Sequence, residues 1–456
     1  MILACAPAQY FGRQQDDVLY VLATQALAAG HYHLTTAIGR PPLAMITPGL
    51  PALFFPIGLL CPDRLGVYQA VSVVLQAALP WAVYAWARRR LGAVEASLAA
   101  LLSCLHPILL SQAGAVMSET PYLLFSLLLL RFIERPKPAA TPAGACLVAL
   151  TQVRPAGLSL LPAACAPFAR KPSLASAARL LVPAFAAGAY WVVWSRRVTG
   201  SVQELDEFRV SYAGRALWQP LATAAGNALY YADSLGAAFL PKSLAETSAS
   251  AVLGGALMLC AAYGVWRSLR TKADDPAAWA LAGTAGMHAV WAWQYERYWI
   301  PALPLLWWGC AVAWGRAARY VLGALLLGTL AFSVPHWLAG TSWRVPELAR
   351  TYDWIEANTP ASEGLASAEY LRDGYYTERP SAPLPDEADS AAFAGRLRSV
   401  RVRYVLWQEH IDVGVSPRHE LRRRLDRVRR NLDDLSLFTL VHEEPSEGGR
   451  VYVLRK

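Results

Sequence analysis

Residues 12–29 read GRQQDDVLYVLATQALAA, with two adjacent carboxylates, Asp16 and Asp17, set directly before an apolar run. Working outward, most of the chain resembles that run rather than the acidic pair. The 456 residues are 55% hydrophobic and only 16% charged, against about 25% charged in an ordinary soluble domain. This balance indicates a mainly α, polytopic helical membrane protein. Seventeen Trp and twenty Tyr suit aromatic belts at the two membrane surfaces. The net charge of +9 would suit nucleic acid, but the basic residues lie in short connections between apolar runs, and no nucleic-acid partner is expected. The seven cysteines fall mostly inside apolar runs without CxxC or Cys/His spacing. They read as small apolar residues, and imply neither a disulfide framework nor a zinc site.

Crossing the hydrocarbon takes roughly 20 apolar residues. Candidate helices are 65–87, 92–110, 119–133, 142–153, 155–169, 179–196, 249–269, 276–294, 298–315 and 319–338. The pair 142–153 and 155–169 is short, turning at Arg154-Pro155, and reads as a hairpin that need not fully cross. Arg88 to Arg90, Arg131 to Lys137, Arg170/Lys171/Arg179, Arg267/Arg270/Lys272 and Arg316/Arg319 occupy alternate connections. The positive-inside rule makes those connections cytoplasmic. Residues 1–64, 111–118, 197–248, 295–297 and everything after 340 are then extracytoplasmic, in a multi-pass protein of the plasma (inner) membrane.

Residues 341–456 break in composition and read as a small soluble α/β domain, beside a membrane domain over 1–340. A helix is expected from Pro346 to Asn358. VRYVLW (402–407) and RVYVLR (450–455) are expected strands. Leu421, Leu425, Val428 and Leu432 give the helix between them one buried face. Its basic side, RHELRRRLDRVRR (418–430), reads as a solvated face; contact with membrane lipid is the alternative. Residues 197–248 read as a structured outer loop.

Some polar groups are left over by the bundle reading. Asp16 and Asp17 could cap a helix, as could the SETP run around Glu119. His31 and His33 read as surface loop residues, and His106 as a helix-end histidine. Glu296 and Arg297, within WQYERYWIPALPLLWW, could pair with each other. Taken together, however, three outer connections offer charge at one membrane depth. A carboxylate can take a proton from a hydroxyl, and arginine suits phosphate. Sugar transfer from a lipid phosphate needs both.

DDVLYVLATQALAAGHY (16–32) resembles the Asp-Glu/Asp-x-x-Tyr motif in the first outer loop of the GT-C membrane glycosyltransferases, which include the protein O-mannosyltransferases and the lipid A aminoarabinose transferases. GRPPLAMITPGLPALFFP (39–56) looks like the Pro-Pro-Leu stretch of that superfamily, lying along the membrane surface. LHPILLSQAGAVMSETPYLLFSLLLL (105–130) resembles its second acidic motif. LTQVRPAGL, ERYWIPALPLL and YDWIEANTP match further recurrent stretches. The resemblance covers most of the chain and rests on motif order and spacing.

By that resemblance, Asp16 is the base that activates the acceptor hydroxyl, and Asp17 and Glu119 position the acceptor or a divalent cation, Mn2+ or Mg2+. Arg297, with Arg154 and Arg40, would clamp the donor phosphate, and Tyr20 and Tyr298 would line the substrate site. The implied reaction is inverting transfer of a sugar from a polyprenyl-phosphate donor to a hydroxyl of a lipid, glycan or protein, at an outward-facing site. The rivals are a transporter or flippase for lipid-linked glycans and a glycan polymerase or ligase. The family carries a full helix before its Asp motif. Here ILACAPAQYF offers about 16 Å of helix against roughly 30 Å of hydrocarbon. A start codon further upstream, or loss of that helix, is therefore expected.

Overall fold

The computed structural model describes residues 10–13, 16–169, 173–200, 219–291, 293–335, 346–409 and 420–455. Residues 1–9, with most of the short first span, the basic pair at 170–171 and the composition break near residue 340 lie outside the described residues. By contact density the chain divides into two compact units. One gathers residues 44–53 and 65–335, the other 10–43, 54–64 and 346–455.

The first unit is helical. Among the described residues, four segments are long and apolar enough to cross a membrane: Leu65–Ala87, Leu174–Thr199, Ser248–Thr271 and Glu296–Ser333. Shorter helices at Ala93–Leu105, Glu119–Ile133, Ala140–Val153 and Pro276–Val290 pack with them around one apolar core. Two interruptions trace to proline. The expected 92–110 helix stops at Leu105, because His106 precedes Pro107 and is held extended at ψ 133°, as the proline ring requires. His106 Nδ1 accepts from the Ile108 N–H at 3.3 Å and so caps the next short helix. Arg154, before Pro155, is likewise extended (φ −151°, ψ 135°), and a 3-10 turn, Pro155–Leu160, follows. The expected outer loop at 197–248 is corrected in part, since Gln219–Ala237 is a helix. Its polar residues hid it from a hydropathy reading. It lies directly on Ser248–Thr271, where Gly236 faces the Ser250 carbonyl and Gly254 the Ala232 carbonyl so closely that neither position has room for a Cβ. Small residues of this kind let helix backbones touch.

At one end of this bundle Arg90, assigned from sequence to a cytoplasmic connection, is paired. It reaches Glu134 at 2.7 Å and Asp275 at 2.9 Å, and its guanidinium lies 5.3 Å from the Trp308 ring centre. These charges lie at helix ends, after Ala87, after Ile133 and before Pro276, not at mid-span.

The second unit is built on a five-stranded sheet. Its strands are β1 (Gly364–Ser367), β2 (Ser381–Pro383), β3 (Val402–Gln408), β4 (Phe438–Glu444) and β5 (Gly449–Leu454), in the order β2-β1-β3-β5-β4. β2, β1 and β3 run parallel, and β5 and β4 antiparallel. The two strands expected from sequence are β3 and β5, adjacent at the sheet centre, where Val405, Leu406, Val451 and Leu454 are buried. The expected helices form at Ala349–Asn358 and Glu420–Leu432, the second placing Val428 and Leu432 in the core. Residues 36–38 extend the sheet, pairing in parallel with Ser381 through Ile38 N–H to Ser381 O (2.8 Å) and Ser381 N–H to Thr36 O (3.2 Å). A short edge strand is thereby covered. This pairing brings an N-terminal segment, expected within the 1–340 membrane domain, into the unit of the C-terminal sheet.

Candidate active site

In the first unit the charge centres on Glu119, the first residue of Glu119–Ile133 and only 1% exposed. It does not form a capping arrangement with Ser118, which makes no side-chain cap bond. Instead Glu119 Oε1 accepts from Arg154 Nη1 at 2.7 Å and lies 3.5 Å from Arg297 Nε. Two arginines thus converge on one buried carboxylate. The extended residue before Pro155 aims Arg154, and the 3-10 segment Glu296–Ala302 supplies Arg297. Tyr298 is drawn in as well, its ring 4.9 Å from the Arg154 guanidinium and stacked on His288 at 5.6 Å and 15°. Tyr295 lies under Arg297 at 4.8 Å. Glu296 accepts from Ser234 at 3.3 Å.

Asn227 and His288 were not singled out from sequence. Asn227, fully buried, donates to the carbonyls of His288, Ala289 and Trp291 at 2.9, 3.0 and 2.7 Å, and accepts from Gln294 at 2.8 Å. It therefore holds the chain just before Arg297. The available signal was a lone amide in an apolar run (AAGNALYY), which a membrane helix carries only at a cost.

In the second unit Asp16 and Asp17 open the helix Asp16–Ala28 in different settings. Asp17 is 2% exposed and spends both oxygens on the backbone, Oδ2 on Gly12 N–H (3.0 Å) and Oδ1 on Val18 N–H (2.9 Å). Asp16 is only half-buried. Tyr20 is buried within the same helix. Arg40 sits exposed at a turn with φ 45°, between residues paired as His33 with Pro42. Glu119, Arg154, Arg297 and Tyr298 are thus brought together in one unit, while Asp16, Asp17, Tyr20 and Arg40 belong to the other.

The second unit holds a further charged cluster around Arg372, which is 5% exposed. Arg372 lies 3.0 Å from Asp373, 3.2 Å from Glu369 and 3.3 Å from Gln408. Glu369 is pushed up to about 8, first by loss of solvent and then, against the pull of Arg372, by Asp373, Glu347 and Asp16. Between pH 4.5, the ordinary value, and 8 the folded protein keeps a proton that the unfolded chain has released. Stability must therefore fall as pH rises through that window, by up to about 1.4 kcal/mol per pH unit. Thermal melts of detergent-solubilised protein should show this fall, and Glu369→Gln should flatten it. The same slope in both proteins would show that Glu369 is ionised in the fold.

Among the described residues, no group of three or more His, Cys, Asp and Glu side chains is placed to hold a metal. Glu119 does not fit a divalent cation, since two guanidinium groups already face its carboxylate and would repel one.

No protein-family model and no curated protein matches the chain. Among solved structures it is similar to ArnT from Cupriavidus metallidurans bound to undecaprenyl phosphate, with TM-score 0.59 and 12% identity over 99% of this chain and 95% of that one. The apo state of the same protein gives a TM-score of 0.54 at the same identity and coverage. The apo oligosaccharyltransferase of Archaeoglobus fulgidus gives 0.52 and 14% identity, over 86% of this chain and 66% of that one. The helices, the sheet near the C-terminus and these likenesses agree: this is a multi-pass membrane protein with the GT-C fold.

Proposed function

We propose that the protein is a membrane glycosyltransferase that moves a sugar from a polyprenyl-phosphate donor to a hydroxyl of a lipid, glycan or protein acceptor, on the extracytoplasmic face of the plasma membrane. The observation that carries this reading is the convergence of Arg154 and Arg297 on buried Glu119. The carboxylate orients both guanidinium groups. Guanidinium groups presented in this way at helix ends suit an interfacial phosphate. The chemistry read into the motif is direct displacement. The acceptor oxygen, deprotonated by Asp16, attacks the anomeric carbon as its bond to the phosphate oxygen breaks. Polyprenyl phosphate leaves as an anion stabilised by arginine, and the anomeric centre inverts. The half-buried position of Asp16, beside an Asp17 committed to backbone N–H groups, supports Asp16 as base and Asp17 as its support. That ArnT has been solved with undecaprenyl phosphate supports the donor class.

An apolar cavity of about 480 Å3, lined by Leu75, Ala82, Trp86, Pro121, Phe125 and Leu128, begins two residues from Glu119. It would accept part of the isoprenoid tail. Transport is the weaker reading, because Glu119, Arg154 and Arg297 lie at helix ends, whereas transporters bind at mid-membrane.

Mass spectrometry of lipids and surface glycans from cells lacking this gene should show the loss of one sugar addition with its polyprenyl donor retained. An unchanged glycan profile would overturn the reading. Arg297→Ala should raise the apparent KM for the lipid donor about tenfold or more, since a charge-assisted bond contributes about 1.5–3 kcal/mol. Arg297→Lys should restore only part, because the planar fork is lost. An unchanged KM would reduce Arg297 to a structural partner of Glu119.

A further inference from the structure

We infer that the helix Tyr370–Thr377 of the C-terminal domain is a positioning element for the acidic pair, with Tyr376 and Arg372 set against Phe11 and Gly12, the second of which donates its N–H to the Asp17 carboxylate. The inference rests on the reading of Asp16 as the base. It assigns the C-terminal domain a part in the chemistry that neither the motif nor the fold supplies.

The geometry is a chain of contacts. Tyr376 Oη donates to the Phe11 carbonyl at 2.5 Å, and Tyr375 meets the Phe11 ring edge-on at 5.0 Å. The next residue, Gly12, has φ +89°, and a Cβ there would lie 2.7 Å from Arg372 Cγ and 3.2 Å from Val18 Cγ2. Glycine is therefore required twice over, by backbone conformation and by the arginine stem against it. Gly12 N–H is in turn the donor that binds Asp17 Oδ2. Positions 372 and 376, one turn apart, share a helix face, and 375 lies beside it. One short helix thus touches two consecutive residues of the acidic loop.

The helix is itself held. Arg372 is fixed by Glu369, Asp373 and Gln408. Asp373 also accepts from Tyr352 at 2.7 Å. Tyr352 stacks on Tyr376 with ring centres 5.3 Å apart and planes within 3°, so the Tyr376 hydroxyl has little freedom to move. A solvated loop needs none of this. A loop whose two carboxylates must keep their places for proton transfer does, because small displacements of a catalytic group cost rate steeply.

Tyr376→Phe removes one hydroxyl and leaves the ring stack in place. Transfer from a synthetic polyprenyl-phosphate sugar by purified protein should show kcat down about three- to tenfold, with donor KM and melting temperature unchanged. Gly12→Ala should lose more. The decisive measurement repeats Tyr376→Phe in the Asp16→Asn background. A residue that acts through the acid has no further effect once the acid is gone, so the residual rate should not change. Full kcat in Tyr376→Phe beside a disabled Asp16→Asn would overturn the inference alone, as would an equal loss in both backgrounds. Full kcat in Asp16→Asn would overturn the base assignment and the inference with it.

Discussion

Asparagine at position 16 should remove most turnover, by about 10²–10⁴-fold, the usual loss when a general base is deleted. Asn is nearly isosteric with Asp but cannot take a proton. The half-buried position of Asp16 at the helix start should tolerate the change without loss of expression or donor binding. Asp17→Asn should act differently. Asp17 accepts backbone N–H groups on both oxygens, whereas an amide can accept on one and must set a donor against the other. The consequence is a loosened loop, with a smaller loss of kcat, about tenfold. Purified membranes with a defined lipid donor separate the two. Near wild-type transfer by Asp16→Asn would mean that the acceptor proton leaves by another route. Glu119 would be a poor substitute, because its carboxylate is already occupied by two guanidinium groups.

The second large effect is expected at Glu119. Its side chain is 1% exposed between arginines that are 19% and 10% exposed. Removing one member of a buried ion pair leaves uncompensated charge and costs about 3–5 kcal/mol. Glu119→Ala should therefore unfold well below the wild type in thermal melts and accumulate poorly in membranes. Glu119→Gln keeps shape and one acceptor oxygen, so it should fold better yet still raise donor KM, since neither guanidinium is oriented. A wild-type melting curve for Glu119→Ala would show that water reaches these charges, and would remove the main support for a built phosphate site.

Much of this protein was determined locally. Apolar runs of span length, such as Leu65–Ala87 and Ser248–Thr271, follow from composition. Proline at 107 and 155 set the breaks before them, since the restriction on the preceding residue is a matter of one peptide unit. β3 and β5 were legible because both are apolar on both faces at the sheet centre. β1 and β2, only four and three residues long, carry too few residues for a period. The acidic pair and Glu119 were visible as charges beside apolar runs. Their partners were not. Hydropathy cannot show that Glu119 takes Arg154, 35 residues away, in preference to a cap at Ser118, that Arg297 shares that carboxylate, or that Glu296 accepts from Ser234. Nor does any local pattern show that residues 36–38 pair with Ser381, or that Tyr376 reaches Phe11. Helices and turns depend on neighbours along the chain. Ion pairs, edge pairing and the hold on the acidic loop depend on which distant segments the packed core brings within a few ångströms, and only the tertiary structure decided that.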